Sequence, residues 1–143
     1  TKPVLQVNRS AMGGSTTITS QTYVNIGNSN TFTPKAAGST LVVFHSVQTW
    51  YGVTTAGTGD LYIQYLINGS SVHANTRQTG NFDGGNQSRS HYYVTNQFVY
   101  TTTSTSPITI QPQAKLSGTV PGGMNFYHTP DASNQIIIVE YAA

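Results

Sequence analysis

Short runs of apolar and β-branched residues follow one another along this chain, each closed by Gly, Pro, Asn or Ser. Apolar recurrence at i, i+3 and i+4 is missing, and Gly, Pro, Thr and Asn interrupt every window long enough for a helix. The pattern predicts antiparallel strands near residues 4–8, 16–20, 23–26, 39–50, 60–67, 71–77, 89–100, 108–115, 124–127 and 135–141. Many short strands with frequent turns and no helices are the mark of a β-sandwich. Neither an internal repeat nor a linker divides the sequence, so one sandwich domain is expected over residues 1–143.

Turn chemistry supports the same division. Asn68-Gly69 joins two apolar runs and suits a type I′ hairpin, which needs positive φ at both central residues. Pro34 ends an extended segment before Gly38 resets the chain into the longest strand. Pro121-Gly122-Gly123 and Pro130-Asp131 mark further turns. Two Gly-rich stretches, residues 56–59 and 80–85, read as long polar loops at one end of the sandwich.

The strongest strands do not simply alternate. Leu41-Val42-Val43-Phe44, Tyr62-Ile63-Gln64-Tyr65-Leu66-Ile67 and Ile136-Ile137-Ile138-Val139-Glu140-Tyr141 carry apolar side chains at both parities, hence on both faces of a sheet. An isolated sandwich keeps its outward face polar. Two-sided apolar strands therefore imply a second cover, and in a chain without helices the simplest cover is another copy.

Composition sharpens this expectation. Charged residues are only 7% of the chain, so the polar surface is built from Thr, Ser, Asn, Gln, Gly and Tyr. Such a surface packs and hydrogen-bonds well and suits permanent assembly. The net charge of +2 rests on Lys2, Lys35, Lys115, Arg9, Arg77 and Arg89, which are too scattered to neutralise successive phosphates; nucleic acid is not an expected partner. Cysteine is absent, which removes thiol chemistry and thiolate metal sites. No apolar run approaches the ~20 residues of a membrane helix, and no signal peptide opens the chain; a membrane is not an expected partner either.

Catalytic chemistry finds little to work with. The carboxylates and imidazoles are Asp60, Asp83, Asp131, Glu140, His45, His73, His91 and His128, and none forms a pair at motif spacing. Asp60 with Asp83 is the nearest approach to a glycosidase pair, but turn-forming roles fit both better. The stretch 82–86, Phe-Asp-Gly-Gly-Asn, has one carboxylate, too few for a calcium loop. His45, amid Leu41–Val47, reads as a hydrogen-bonded core or interface residue. The expectation is a non-enzymatic protein without metal or cofactor.

Three segments carry a resemblance to a known family. Phe32-Thr33-Pro34-Lys35-Ala36-Ala37-Gly38-Ser39-Thr40-Leu41-Val42-Val43 resembles the entry to the long strand in C1q/TNF-like jelly-roll domains of phage and other virion proteins. Tyr65-Leu66-Ile67-Asn68-Gly69 and Ser133-Asn134-Gln135-Ile136-Ile137-Ile138-Val139-Glu140-Tyr141 are similar to the same group. The resemblance implies a jelly roll that works as a homotrimer with its C-terminal strand near the threefold axis. It also implies a place in the virion, on the capsid exterior as a decoration (cement) protein bound to the major capsid protein, or at a tail-fibre or spike tip. A sandwich that starts as early as Val4 favours the decoration subunit over a fibre with a shaft.

On that reading the candidate trimer interface is Phe44, His45, Tyr62, Tyr65, Ile137, Val139 and Tyr141. The alternative is a receptor-binding tip that recognises a host surface glycan. Its candidate contacts are Trp50 and Tyr51, which end a strand beside a Gly-rich loop, with Tyr92 and Tyr93 after another. The same aromatics also suit anchors for a protein partner or filling for the sandwich ends.

Overall fold

The computed structural model describes residues 1–51, 57–82, 90–117, 124–126 and 134–143, with side chains described for 1–49, 60–74, 93–116 and 134–143. The described residues form strands and no helix. In chain order these are β1 (Val4–Ala11), β2 (Thr16–Ile18), β3 (Val24–Asn25), β4 (Asn30–Phe32), β5 (Thr40–Tyr51) and β6 (Gly57–Ile67). They continue with β7 (Ser70–Phe82), β8 (Ser90–Thr101), β9 (Ile108–Ser117), β10 (Met124–Phe126) and β11 (Asn134–Tyr141).

Two antiparallel sheets pack face to face. In the first, β5 is flanked by β8 on one side and by β11 then β10 on the other; β1 lies outside β11, and β2 outside β10. In the second, the order is β7-β6-β9, with β3 and β4 sharing the far side of β9. Pro112 has no N–H to give to a ladder. It sits where that neighbouring strand is broken, between the β3 pairing at 113–114 and the β4 pairing at 108–110. Its carbonyl accepts the Ile26 N–H at 3.0 Å as the chain turns from one short strand toward the next.

Alternation decides what lies inside. Leu41, Val43 and Val47 of β5 and Ile136 and Ile138 of β11 meet Leu61, Ile63 and Ile67 of β6 and Ile108, Ile110, Ala114 and Leu116 of β9 in one core. Burial of each large aliphatic side chain stabilises by about 1.5–3 kcal/mol, which makes this layer the main source of stability. The Asn68-Gly69 hairpin has positive φ at both residues, 50° and 81°, as its sequence predicts.

A close approach fixes one other glycine. At Gly27 φ is +66°, and a Cβ would lie 2.6 Å from the Met12 carbonyl oxygen. That carbonyl accepts the Asn28 N–H, while the Met12 N–H donates to the Asn134 carbonyl at 2.9 Å. The 12–14 and 26–28 segments are thereby knotted to the start of β11.

Differences from the expected strands are local. The stretches 57–59 and 80–82, expected in loops, are paired strand: Gly57 faces Phe82 and Gly59 faces Gly80. Hydrogen bonding between backbones needs no side chain, so glycine does not end the ladder there. β4, only three residues long, has no pattern that marks it in the sequence. The turns expected at 121–123 and 130–131, the calcium-like stretch from Asp83 onward and His128 lie outside the described residues.

The β1 and β11 strands run side by side, from Val4 opposite Tyr141 to Ala11 opposite Gln135. Beyond that ladder the Ala142 N–H donates to the Pro3 carbonyl at 2.9 Å.

Candidate assembly surface

Register turns the apolar residues of the first sheet into a surface. Val99 of β8 pairs with Val42 of β5, Val42 with Val139 of β11, and Val139 with Val7 of β1. Because opposite residues in a ladder share a face, these valines form one row across the sheet. Val42 and Val139 are half-buried between neighbours, while Val99 and Val7 at the two edges are 63% and 64% exposed. The next row reads Gln97, Phe44, Ile137, Arg9, and the row on the other side reads Thr101, Thr40, Tyr141, Val4. Arg9 leans away along the sheet, its Nε donating to Gln135 Oε1 at 2.8 Å. The outward face of this sheet is thus apolar at its centre and at both edges, the composition of a contact surface.

The outward face of the second sheet is different. Gln64 Nε2 donates to Gln113 Oε1 at 2.7 Å, and Gln113 Nε2 donates to Asn25 Oδ1 at 2.8 Å, an amide ladder across β6, β9 and β3. Beside it the Lys115 ammonium lies 4.8 Å from the Tyr23 ring centroid and 5.6 Å from that of Tyr62. Burial, and then the neighbouring Tyr62, raise the Tyr23 pKa. These groups satisfy one another and water, so this face needs no cover.

The seven residues expected at one trimer interface therefore separate into three places. Phe44, Ile137, Val139 and Tyr141 share the apolar outer face of the first sheet. Tyr62 is on the outer face of the other sheet, beside Lys115, and does not join them. His45 and Tyr65 are fully buried inside the sandwich and belong to no outer face. The parity of their neighbours marks this: Ser46 and Gln48 take the outward positions on β5, and Gln64 does so on β6. Val7, Val42 and Val99 complete the row but have no individual signature in the sequence, because cross-strand register alone aligns them.

Inside, His45 and Tyr65 form part of a polar chain that ties both sheets together. Asn96 Nδ2 of β8 donates to the Tyr65 oxygen at 3.0 Å, and Tyr65 Oη lies 2.8 Å from His45 Nδ1. His45 Nε2 lies 2.8 Å from Asn134 Oδ1 at the start of β11. An amide oxygen only accepts, so Nε2 carries the proton, Nδ1 is the acceptor, and the Tyr65 hydroxyl gives its proton to Nδ1. Every hydrogen bond along the chain then runs one way with a neutral imidazole. Burial lowers the His45 pKa from 6.5 to about 4, only partly offset by the Asn134 bond. Burial likewise raises the Tyr65 pKa, against a smaller opposing effect of the Asn96 bond. Rings enclose the chain: the Phe98 centroid is 4.8 Å from that of Tyr65, and His73 stacks on Phe98 at 5.8 Å.

A second buried polar group accounts for the segment that enters β5. Glu140 is fully buried, yet its carboxylate accepts from Ser39 Oγ and Gln6 Nε2, each at 2.6 Å. It also accepts the backbone N–H groups of Lys35 at 2.9 Å and Ala36 at 3.2 Å. Burial alone would raise its pKa; the bonds from Ser39, Lys35, Gln6 and Ala36 outweigh burial and hold the carboxyl below the usual range. Glu140 is thus a fastener for the 33–39 segment.

Four aromatics expected to contact a partner or glycan meet at one end of the β5–β8 pair, where Tyr51 is opposite Ser90, Thr49 opposite Tyr92 and Gln48 opposite Tyr93. Tyr93 is 70% exposed; the side chains of Trp50, Tyr51 and Tyr92 lie outside the described residues. Among the described residues no group of three or more His, Asp or Glu is placed to hold a metal ion. No family model matches the chain, and no curated protein is similar to it.

Proposed function

We propose that the chain is a non-enzymatic structural subunit of a phage virion, a jelly-roll homotrimer that binds the major capsid protein and reinforces the shell from outside. The observation that carries the assembly is the valine row, Val99-Val42-Val139-Val7, on one outer face only. Covering that row with sister copies removes apolar surface from water at about 25 cal/mol per Å². The jelly-roll reading draws on strand order. With the short strands β2 and β10 set aside, the sheets run β1-β11-β5-β8 and β4-β9-β6-β7, a sequence of crossings that suits two interlocked Greek keys.

Attachment to a capsid through such a surface relies on shape and amide or backbone hydrogen bonds. With charged residues at 7%, little of it responds to screening. The test is sedimentation equilibrium of the full chain at micromolar concentration, followed by co-sedimentation with undecorated capsid shells over a range of salt. Trimers that attach equally at low and moderate salt are expected. A single-copy species, or attachment abolished by moderate salt, overturns the reading.

One observation favours a second role for the same trimer, a tail-fibre or spike tip. The β5–β8 register gathers Trp50, Tyr51, Tyr92 and the exposed Tyr93 at one end, where aromatic faces could stack on a host surface glycan. Adsorption of the protein to host cells, lost on Tyr93→Ala, would select this role over capsid decoration.

A further inference from the structure

We infer that the His45 chain is an acid-operated latch on β11, and that acidification releases the copies held together by the outer row, to which β11 contributes Ile137, Val139 and Tyr141; the release of copies rests on the assembly reading, whereas the latch does not.

The latch follows from the direction of the hydrogen bonds. In the closed state Nδ1 accepts from Tyr65 and Nε2 donates to Asn134, so a second ring proton has no acceptor awaiting it. The Tyr65 oxygen already accepts from Asn96, and a proton on Nδ1 would force the Tyr65 hydroxyl hydrogen out of its place in the chain. The groups around the ring do not compensate the charge. β6 contributes Tyr65, β7 contributes His73 next to Tyr65, β8 contributes Asn96 and β11 contributes Asn134. Glu140, the carboxylate on β11, is engaged at the opposite end of that strand with Ser39, Lys35, Ala36 and Gln6.

The bond that breaks most directly is the one to Asn134, the first residue of β11. Asn134 also holds the Met12 N–H through its carbonyl, and its side-chain Nδ2 has no hydrogen-bond partner in the structure. The start of β11 is therefore held by few contacts besides the ladder, and the imidazole is one of them. Once water reaches the ring, it protonates near its ordinary value of 6.5, whereas in the closed state it resists until about 4. Between pH 6.5 and 4.5 the ratio of open to closed β11 should rise up to tenfold per unit, on the order of a hundredfold in all. Glu140 stays ionised in the closed state through this window, because its bonds keep its pKa below 4.5.

Hydrogen exchange of the full chain at pH 6.5, 5.5 and 4.5, corrected for intrinsic rates, reads the latch, and sedimentation velocity at the same pH values reads the release. Wild type should lose protection in residues 134–141 relative to β9 as pH falls, with its sedimentation coefficient falling in parallel. His45→Gln keeps a donor and an acceptor without titrating and should hold both readouts flat. Asn134→Asp supplies a carboxylate for the imidazolium and should keep β11 closed to lower pH. If His45→Gln does not fold, Asn134→Asp and an NMR titration of the His45 ring decide the matter. Wild-type β11 protection that does not change with pH, or that falls equally in the variants, overturns the latch. A wild type of single copies at pH 6.5 sinks the assembly reading, and the exchange data still decide the latch.

Discussion

Ser39 and Glu140 are joined by a 2.6 Å hydrogen bond across 101 residues of chain, inside a pocket where neither meets water. The bond explains why the segment from Pro34 to Ser39 is built of small residues. Its backbone has to fold closely round a carboxylate, and Lys35 and Ala36 present N–H groups rather than side chains to it.

Removal of this carboxylate strands several donors at once. Glu140→Ala should cost about 3 kcal/mol, in the range for breaking a buried, hydrogen-bonded charge. The effect depends on pH. A carboxyl held below its ordinary pKa contributes fully above about 4.5, and the contribution disappears as pH falls through the lowered folded value. Urea midpoints for wild type and Glu140→Gln should therefore differ at pH 7 and converge in acid.

Two glycines with similar backbone angles should respond differently to alanine. At Gly69 φ is +81° but nothing lies within 4 Å of a new Cβ, so Gly69→Ala should cost about 1 kcal/mol for the left-handed conformation alone. At Gly27 the conformational cost is joined by a collision with the Met12 carbonyl oxygen, 2.6 Å away. Gly27→Ala should cost at least about 3 kcal/mol. Thermal melts of the two variants check the order, and equal losses would refute the steric account.

Tyr65→Phe keeps the ring and deletes only the hydroxyl. It leaves His45 Nδ1 without its donor and Asn96 Nδ2 without its acceptor, both in the core. The expected loss is about 2 kcal/mol in denaturant unfolding. A loss below about 0.5 kcal/mol would mean that the chain contributes nothing net to stability.

The two outer faces make a paired prediction. Val99 is 63% exposed, so Val99→Lys should alter the stability of a single copy by no more than about 0.5 kcal/mol. It should nonetheless disrupt self-association, since it puts a charge into the valine row. Tyr62→Lys, on the other sheet, should leave association unchanged. Sedimentation velocity on both variants decides, and the reverse result would assign assembly to the amide-rich face.

How much of this could be read from residues alone depended on the kind of fact. The long strands were legible, since Leu41, Val43 and Val47 or Leu61, Ile63 and Ile67 repeat at the period of a pleated strand. Their inward parity was legible too, from Ser46, Gln48 and Gln64 at the alternate positions, and it places His45 and Tyr65 inside. Grouping those two with Phe44 and Tyr62 took apolar or aromatic character for a shared face, whereas side-chain direction is set by position along the strand. The valine row was not legible, because it depends on the register of four strands that come together only in the folded sheet. Glu140 was hidden for a different reason. A charge among Ile136, Ile138 and Val139 suggests an outward position, and only the donors from three distant segments make an inward one tolerable.

The bond from Ala142 to Pro3, beside the β1–β11 ladder, gives the fold the connectivity of a ring with a single nick. A short peptide joining those ends would close the ring without crossing either sheet. The nick could then be moved to the tight turn at Asn68-Gly69, leaving every ladder of the sandwich in place while the polypeptide begins and ends on the opposite sheet.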